Sequence, residues 1–252
     1  MAGTIYTVKP KAGHTHTHTV IFLHGRDSDC NEFASELFES EASESECGPN
    51  GGRTLPDIFP SIKWVFPGAP TIKSQRFDTD MSQWFDMCMA RIISVVAAEE
   101  NILPKNKIFL AGISQGFATA IATYLANEHN EHGEFAGLIG LCSWLPITQN
   151  TQNTTLSHKT PIFLGHSKDD DVVPIKNGRG LRDSLIGRGL QVHWKEYEDV
   201  GHWINEPEGV DDMVAFMKQR MGYQTQTTRR ELLNTCSNRG SALEEVQSLQ
   251  CD

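Results

Sequence analysis

The chain has 252 residues, enough for one large domain or two small ones, and its 38% hydrophobic and 21% charged residues describe a soluble globular protein with a real core. A net charge of −10 with no basic stripe argues against nucleic acid as a partner, since such binding needs Lys and Arg to neutralise phosphates. No apolar run is long enough to cross a bilayer, "MAGTIYTVKP" lacks the core of a secretory signal, and the six cysteines show no CxxC spacing, so free thiols in a reducing cytoplasm are expected.

The first notable stretch, "HTHTHT", places His14, His16 and His18 on one face of a strand. Three imidazoles suggest a metal, but no carboxylate or cysteine lies nearby, so an exposed strand edge is the expectation. Predicted strands then follow at "TVIFLHG" (19–25), "KWVFPGAP" (63–70), "KIFLAGIS" (107–114), "GLIGLCSWLP" (137–146), "PIFLGHS" (161–167) and "QVHWKEYE" (191–198). Their apolar runs are nearly continuous, as parallel strands covered on both faces require. Helices are expected at 29–39, 87–100, 115–129, 176–188 and 209–221. Alternation of this kind means an α/β fold with a mostly parallel sheet. The acidic, Ser- and Gly-rich residues 39–54 read as a mobile insert within a domain spanning 1–222, and the polar residues 223–252 as a disordered tail.

Ligands of such sheets bind where loops leave the C-terminal ends of the strands. "GISQG" is one of those loops, with a strand before Ser114 and a helix after it. A strand–turn–helix of this form exposes a serine as a nucleophile, although Gly and Ser are also ordinary turn residues. A hydroxyl needs a base, and His202 stands in the loop after the last strand; an imidazole has a suitable pKa. The base in turn needs a carboxylate, and "KDDDVVP" offers Asp169, Asp170 and Asp171 after the preceding strand. This triple Asp lacks the spaced ligands and glycine of a calcium loop. The backbone N–H groups of Arg26, in "FLHGRD", and of Gln115 are the candidate oxyanion donors. Trp84, Phe85 and Trp144, with Leu145 beside it, are candidates for the substrate groove, with core filling as the bland alternative.

Taken together, "VIFLHG", "KWVFPGAP", "MSQWFD", "GISQG", "SWLP", "HSKDDDVVP" and "GHW" resemble, in order, the acyl-protein thioesterase and small carboxylesterase (lysophospholipase-like) family over residues 4–222. The resemblance implies an α/β-hydrolase fold with helices on both faces of the sheet. It also implies a Ser-His-Asp triad working through an acyl-enzyme, with no metal or organic cofactor. Its substrates would be acylated proteins or small acyl esters and thioesters, and the protein a monomer or weak dimer in the cytoplasm, with the nucleus as a second location. The family's spacing, His then Asp four residues later and then Val-Pro, selects Asp170; Asp169 and Asp171 are left to solvent or to capping the next helix. Arg26 and Asp27 depart from the usual Leu and Gly, and Ser167 from a usual Gly. The stretch between "WFDM" and "RIISVVAAEEN" is short of a loop and some helical turns. A helix over 87–100 still spans about 21 Å, enough to cover a six-residue strand of about 20 Å, so the fold survives and the acyl-pocket wall changes. Two alternatives accompany this reading: a lysophospholipase, and a catalytically impaired binding protein of the same fold.

Overall fold

A seven-stranded sheet organises the chain. The computed structural model describes residues 4–74, 78–84, 88–126, 134–146 and 160–223. The sheet comprises β1 (Ile5–Val8), β2 (His18–Leu23), β3 (Ile62–Pro67), β6 (Ile108–Ile113), β7 (Gly137–Leu141), β8 (Ile162–Ser167) and β9 (Val192–Tyr197). The order is β1-β3-β2-β6-β7-β8-β9; β1 is antiparallel to β3 and every other pair is parallel. A separate hairpin joins β4 (Thr71–Lys73) to β5 (Asp80–Ser82). The six predicted strands are all present. β1 and the hairpin are additions to them.

The helices are α1 (Cys30–Glu39), α2 (Leu55–Ile58), α3 (Met89–Glu100), α4 (Gln115–Ala126), α5 (Ile175–Gly187) and α6 (Glu208–Met221). Residues 127–129 of the predicted third long helix lie outside the described residues. Alternate side chains of β2 divide the core. Val20 and Phe22 pack with Phe33 and Leu37 of α1 and with Val214 and Met217 of α6. Ile21 and Leu23 pack with α3, α4 and α5 through Ile92, Phe117, Ile121, Leu181 and Leu185. The period of two in a strand thus puts helices on both faces, and each such side chain contributes about 1.5–3 kcal/mol of transfer free energy.

One expectation changes. His14 and His16 precede β2 rather than lying on it, and His18 is 4% exposed because β2 is an inner strand between β3 and β6. The three imidazoles therefore do not form an exposed strand edge. Thr19, beside His18, donates to the Glu99 carboxylate at 3.2 Å, and Lys63 reaches the same carboxylate at 2.6 Å. Residues 39–54, read as an insert, run next to α6. Glu41 N–H donates to Glu206 at 2.9 Å, Ser43 N–H to Asp211 at 2.8 Å, and Lys218 to Glu46 at 2.6 Å. Of the expected tail, 223–252, everything after Tyr223 lies outside the described residues.

Candidate active site

Ser114 sits between β6 and α4 with φ +55°, a left-handed conformation that costs a non-glycine residue about 1–3 kcal/mol. Its neighbours hold it there. Ser114 N–H donates to Leu141 O at 2.8 Å, and Ser114 O accepts from Ser143 Oγ at 2.7 Å and from Ala118 N–H at 3.1 Å. Gly112 and Gly116 are required by space: a Cβ would lie 2.5 Å from Phe117 N at the first and 2.4 Å from the Leu23 and His24 carbonyls at the second. The turn can therefore pack only with glycine at both places.

Of the three adjacent aspartates, Asp170 meets the imidazole. Its Oδ2 lies 2.8 Å from His202 Nδ1, while its Oδ1 accepts from the N–H groups of Val172 at 3.0 Å and Val173 at 2.7 Å. Asp170 is buried and His202 only partly so. Asp169 is exposed to solvent, as expected, and does not cap α5, which has no side-chain cap. Its carboxylate accepts from the N–H groups of Val200 at 3.2 Å and Gly201 at 3.1 Å, and from Ser167 Oγ. The Ser167 hydroxyl, then the two backbone donors, hold its pKa below the usual carboxylate value. Asp169 thus fastens the loop that carries His202. The third aspartate, Asp171, is exposed.

The loop from His24 to Asp29 faces Ser114, and a Cβ at Gly25 would lie 3.6 Å from the Ser114 Cβ. Its buried His24 donates from Nδ1 to Gly25 O at 2.6 Å and accepts at Nε2 from Ala69 N–H at 3.0 Å. Those two partners assign the tautomer, and burial, lowering the pKa, keeps the ring neutral as the arrangement requires. Asp27, at φ +63°, donates its N–H to Ser82 O of the hairpin at 2.7 Å, and Asp29 caps α1 by accepting from Asn31 N–H and Glu32 N–H.

These loops enclose a cavity of about 410 Å³ whose walls include Arg26, Ser114, Gln115, Trp144 and His202. This volume suits a small ligand. Phe33, which no sequence motif singles out, and Trp203, the last residue of "GHW", form an apolar wall with rings 6.0 Å apart. A smaller cleft of about 160 Å³ shares Gln115 and Trp144 and reaches Trp84 and Met89. Trp144 is therefore a wall of both. Trp84 is 1% exposed, donates its indole N–H to His24 O at 2.9 Å, and only borders the smaller cleft; it is chiefly core. Leu145 packs half-buried against the core and lines neither space. Phe85 lies outside the described residues.

Among the described residues, one set of potential metal ligands lies close together: Cys142, Asp170 and His202, with ligand atoms within 4.8 Å. Burial, reinforced by the charge of Asp170, pushes the Cys142 thiol up to about 12, and the other two groups bond to each other. A metal there would have to displace both a proton and that hydrogen bond.

A family model described as phospholipase/carboxylesterase matches residues 89–221. Acyl-protein thioesterase 1 of Yarrowia lipolytica is 27% identical over 237 residues, covering 85% of this chain and 96% of its own. A protein of Oryza sativa subsp. japonica named "probable inactive carboxylesterase" is 29% identical over 209 residues, covering 73% of this chain and 77% of its own. The crystal structure of Zea mays acyl-protein thioesterase 2 superposes with a TM-score of 0.67 at 26% identity, covering 87% of this chain and all of that one. No helix among the described residues is long and apolar enough to cross a membrane.

Proposed function

Because the chain belongs to the phospholipase/carboxylesterase family, and is a serine hydrolase of esters or thioesters, we propose that it works through Ser114, His202 and Asp170 with an acyl-enzyme intermediate. The supporting observation is the 2.8 Å contact of Asp170 with His202 Nδ1 beside a cavity that His202 and Ser114 both line. Asp170 holds the Nδ1–H tautomer, which leaves Nε2 free to accept the Ser114 proton. The serine oxygen adds to the acyl carbonyl carbon, and the oxyanion takes hydrogen bonds from Arg26 N–H and Gln115 N–H, each worth about 3 kcal/mol in the transition state. The imidazolium then protonates the departing thiolate or alkoxide. Water, deprotonated by His202, releases the acid and restores the serine.

The substrates under this reading are acylated proteins or small acyl esters and thioesters, handled in the cytoplasm without a metal or organic cofactor. The cavity supports a substrate of two characters: Phe33, Trp144 and Trp203 offer apolar contact, and Arg26, Ser28 and Asn177 polar contact. Fluorophosphonate labelling and turnover of short acyl esters and thioesters test it. Wild-type protein is expected to take the label on Ser114 and to turn over. Ser114→Ala is expected to lose both while staying folded. Undiminished turnover by Ser114→Ala would sink the mechanism, whereas label without turnover would favour the impaired alternative, as the rice relative's name suggests for that protein.

A further inference from the structure

A second imidazole stands beside Asp170. His166, near the end of β8, is 1% exposed, and its Nε2 lies 2.8 Å from Val173 O and 3.3 Å from Asp170 Oδ2. Val173 O is an acceptor at hydrogen-bond distance, so Nε2 carries the hydrogen and donates it there. The carboxylate itself has three donors: the Val172 and Val173 N–H groups on Oδ1, and the His202 ring on Oδ2.

We propose that His166 is a positioning residue for the triad acid: its Nε2–H on Val173 O anchors the turn whose N–H groups hold Asp170 Oδ1, and so sets the direction in which Oδ2 meets His202. The inference rests on the reading of Asp170 and His202 given above. The second oxygen is the one that must meet the base, and its direction follows from where the Val172 and Val173 N–H groups hold the first. His166 fixes that turn from behind by its bond to Val173 O. Burial lowers the His166 pKa, so the ring remains a neutral donor beside the charged couple.

The surroundings of the ring agree with this role. A Cβ at Gly178 would come within 2.3 Å of His166 Nδ1, so α5 can close on the ring only with glycine there. Glycine inside a helix costs about 1 kcal/mol relative to alanine. Trp194 lies alongside, with ring centroids 6.2 Å apart. The ring is thereby held between α5, β9 and the acid loop, with its hydrogen on the Val173 carbonyl of that loop.

The test compares His166→Gln with His166→Asn in the full chain, using a p-nitrophenyl ester of a short acid. Both amides have similar polarity, but only the longer one carries an N–H to the position of Nε2. His166→Asn is expected to lose about 10–100-fold in kcat with KM little changed, the order of loss that a misplacement of about 1 Å in a catalytic group produces. His166→Gln is expected to regain most of that loss. The proton spectrum supplies a readout independent of turnover: the downfield Nδ1–H signal of His202 should persist in wild type and Gln, and shift or broaden in Asn. Should Asn fail to fold, Gly178→Ala displaces the ring instead and should show the same kcat loss. Equal kcat in Gln and Asn, or an unchanged His202 signal in Asn, would overturn the proposal. A wild type that neither labels nor turns over would defeat the hydrolase reading, while the His202 signal would still judge His166.

Discussion

At the edge where the parallel strands end, Asp27, Ser114, Cys142 and Asp199 all hold left-handed backbone in the loops after β2, β6, β7 and β9. At the edge where they begin, the polar groups are joined to one another: Lys63 to Glu99, Thr19 to Glu99, and His16 to Thr19. Among the described residues the remaining non-glycine of this kind, Asp78, lies in the β4–β5 hairpin loop and not at that starting edge. Left-handed backbone collects at the edge that carries the proposed site, and side-chain pairing at the other, where the buried Nε2 of His18 is nonetheless left without a partner. Each left-handed residue costs about 1–3 kcal/mol, so the first edge is maintained by the stability of the rest.

Changes at the ending edge should therefore reduce rate, and changes at the starting edge should reduce stability. The largest effect is expected for Asp170→Asn, about 10⁴-fold in kcat, the loss that the same change of a triad aspartate produces in a serine protease. Asp171→Asn, altering an exposed side chain, should stay within about tenfold. Steady-state kinetics of both, after circular dichroism shows them folded, would place the acid elsewhere if Asp171→Asn proved the crippled one. At the other edge, Glu99→Gln leaves the part-buried Lys63 ammonium without its anion and should cost about 3 kcal/mol in urea unfolding, with kcat per folded molecule unchanged. A kcat loss there would blur the division.

His18 tests the starting edge by pH. Burial lowers its pKa from 6.5 to about 4. Between those values the unfolded chain takes up a proton that the folded chain refuses, so this part of the stability is complete above pH 6.5 and lost as pH falls towards 4. His18→Leu should lose less stability than wild type on going from about pH 7 to about pH 5, by about 1–2 kcal/mol after allowance for screening. Identical losses would mean that other groups carry the acid sensitivity. The smallest effect is expected at Asp169, whose replacement by Asn turns one acceptor of the His202 loop into a donor. About a tenfold fall in kcat should follow, and wild-type kinetics would show that the loop needs no fastening.

The five inner strands and five long helices are legible in the sequence because each buries a continuous or helically spaced apolar set. β1 is not. Its residues are exposed or half-buried, it pairs antiparallel at the margin of the sheet, and "IYTV" has too little burial to mark it. The three-residue strands of the hairpin carry even less signal. "HTHTHT" misleads for the opposite reason: its alternation looks like a solvent-facing strand, but only His18 and Thr19 enter β2 and both are buried. At the site, Ser114 and His202 can be found from their places after strands. Spacing within a familiar motif is needed to separate Asp170 from its neighbours. No sequence pattern reveals that Asp169 bonds to a loop about thirty residues away, because that depends on how the loops after β8 and β9 come together. Trp84 misleads by type, since an aromatic residue near a groove has the same appearance whether it lines the space or fills the core.

The contact at Gly116 has one more consequence. With a Cβ at that point lying 2.4 Å from two carbonyls of the Leu23–His24 segment, the loop carrying Arg26 and the helix carrying Gln115 meet main chain to main chain. The gap between the proposed nucleophile and the proposed oxyanion donors is then a property of the scaffold, inherited whole, with no adjustable side chain between. Cavity walls such as Phe33, Trp144 and Trp203 stand outside that contact. Lineages can exchange them, and so change what is accepted, without having to rediscover the chemistry.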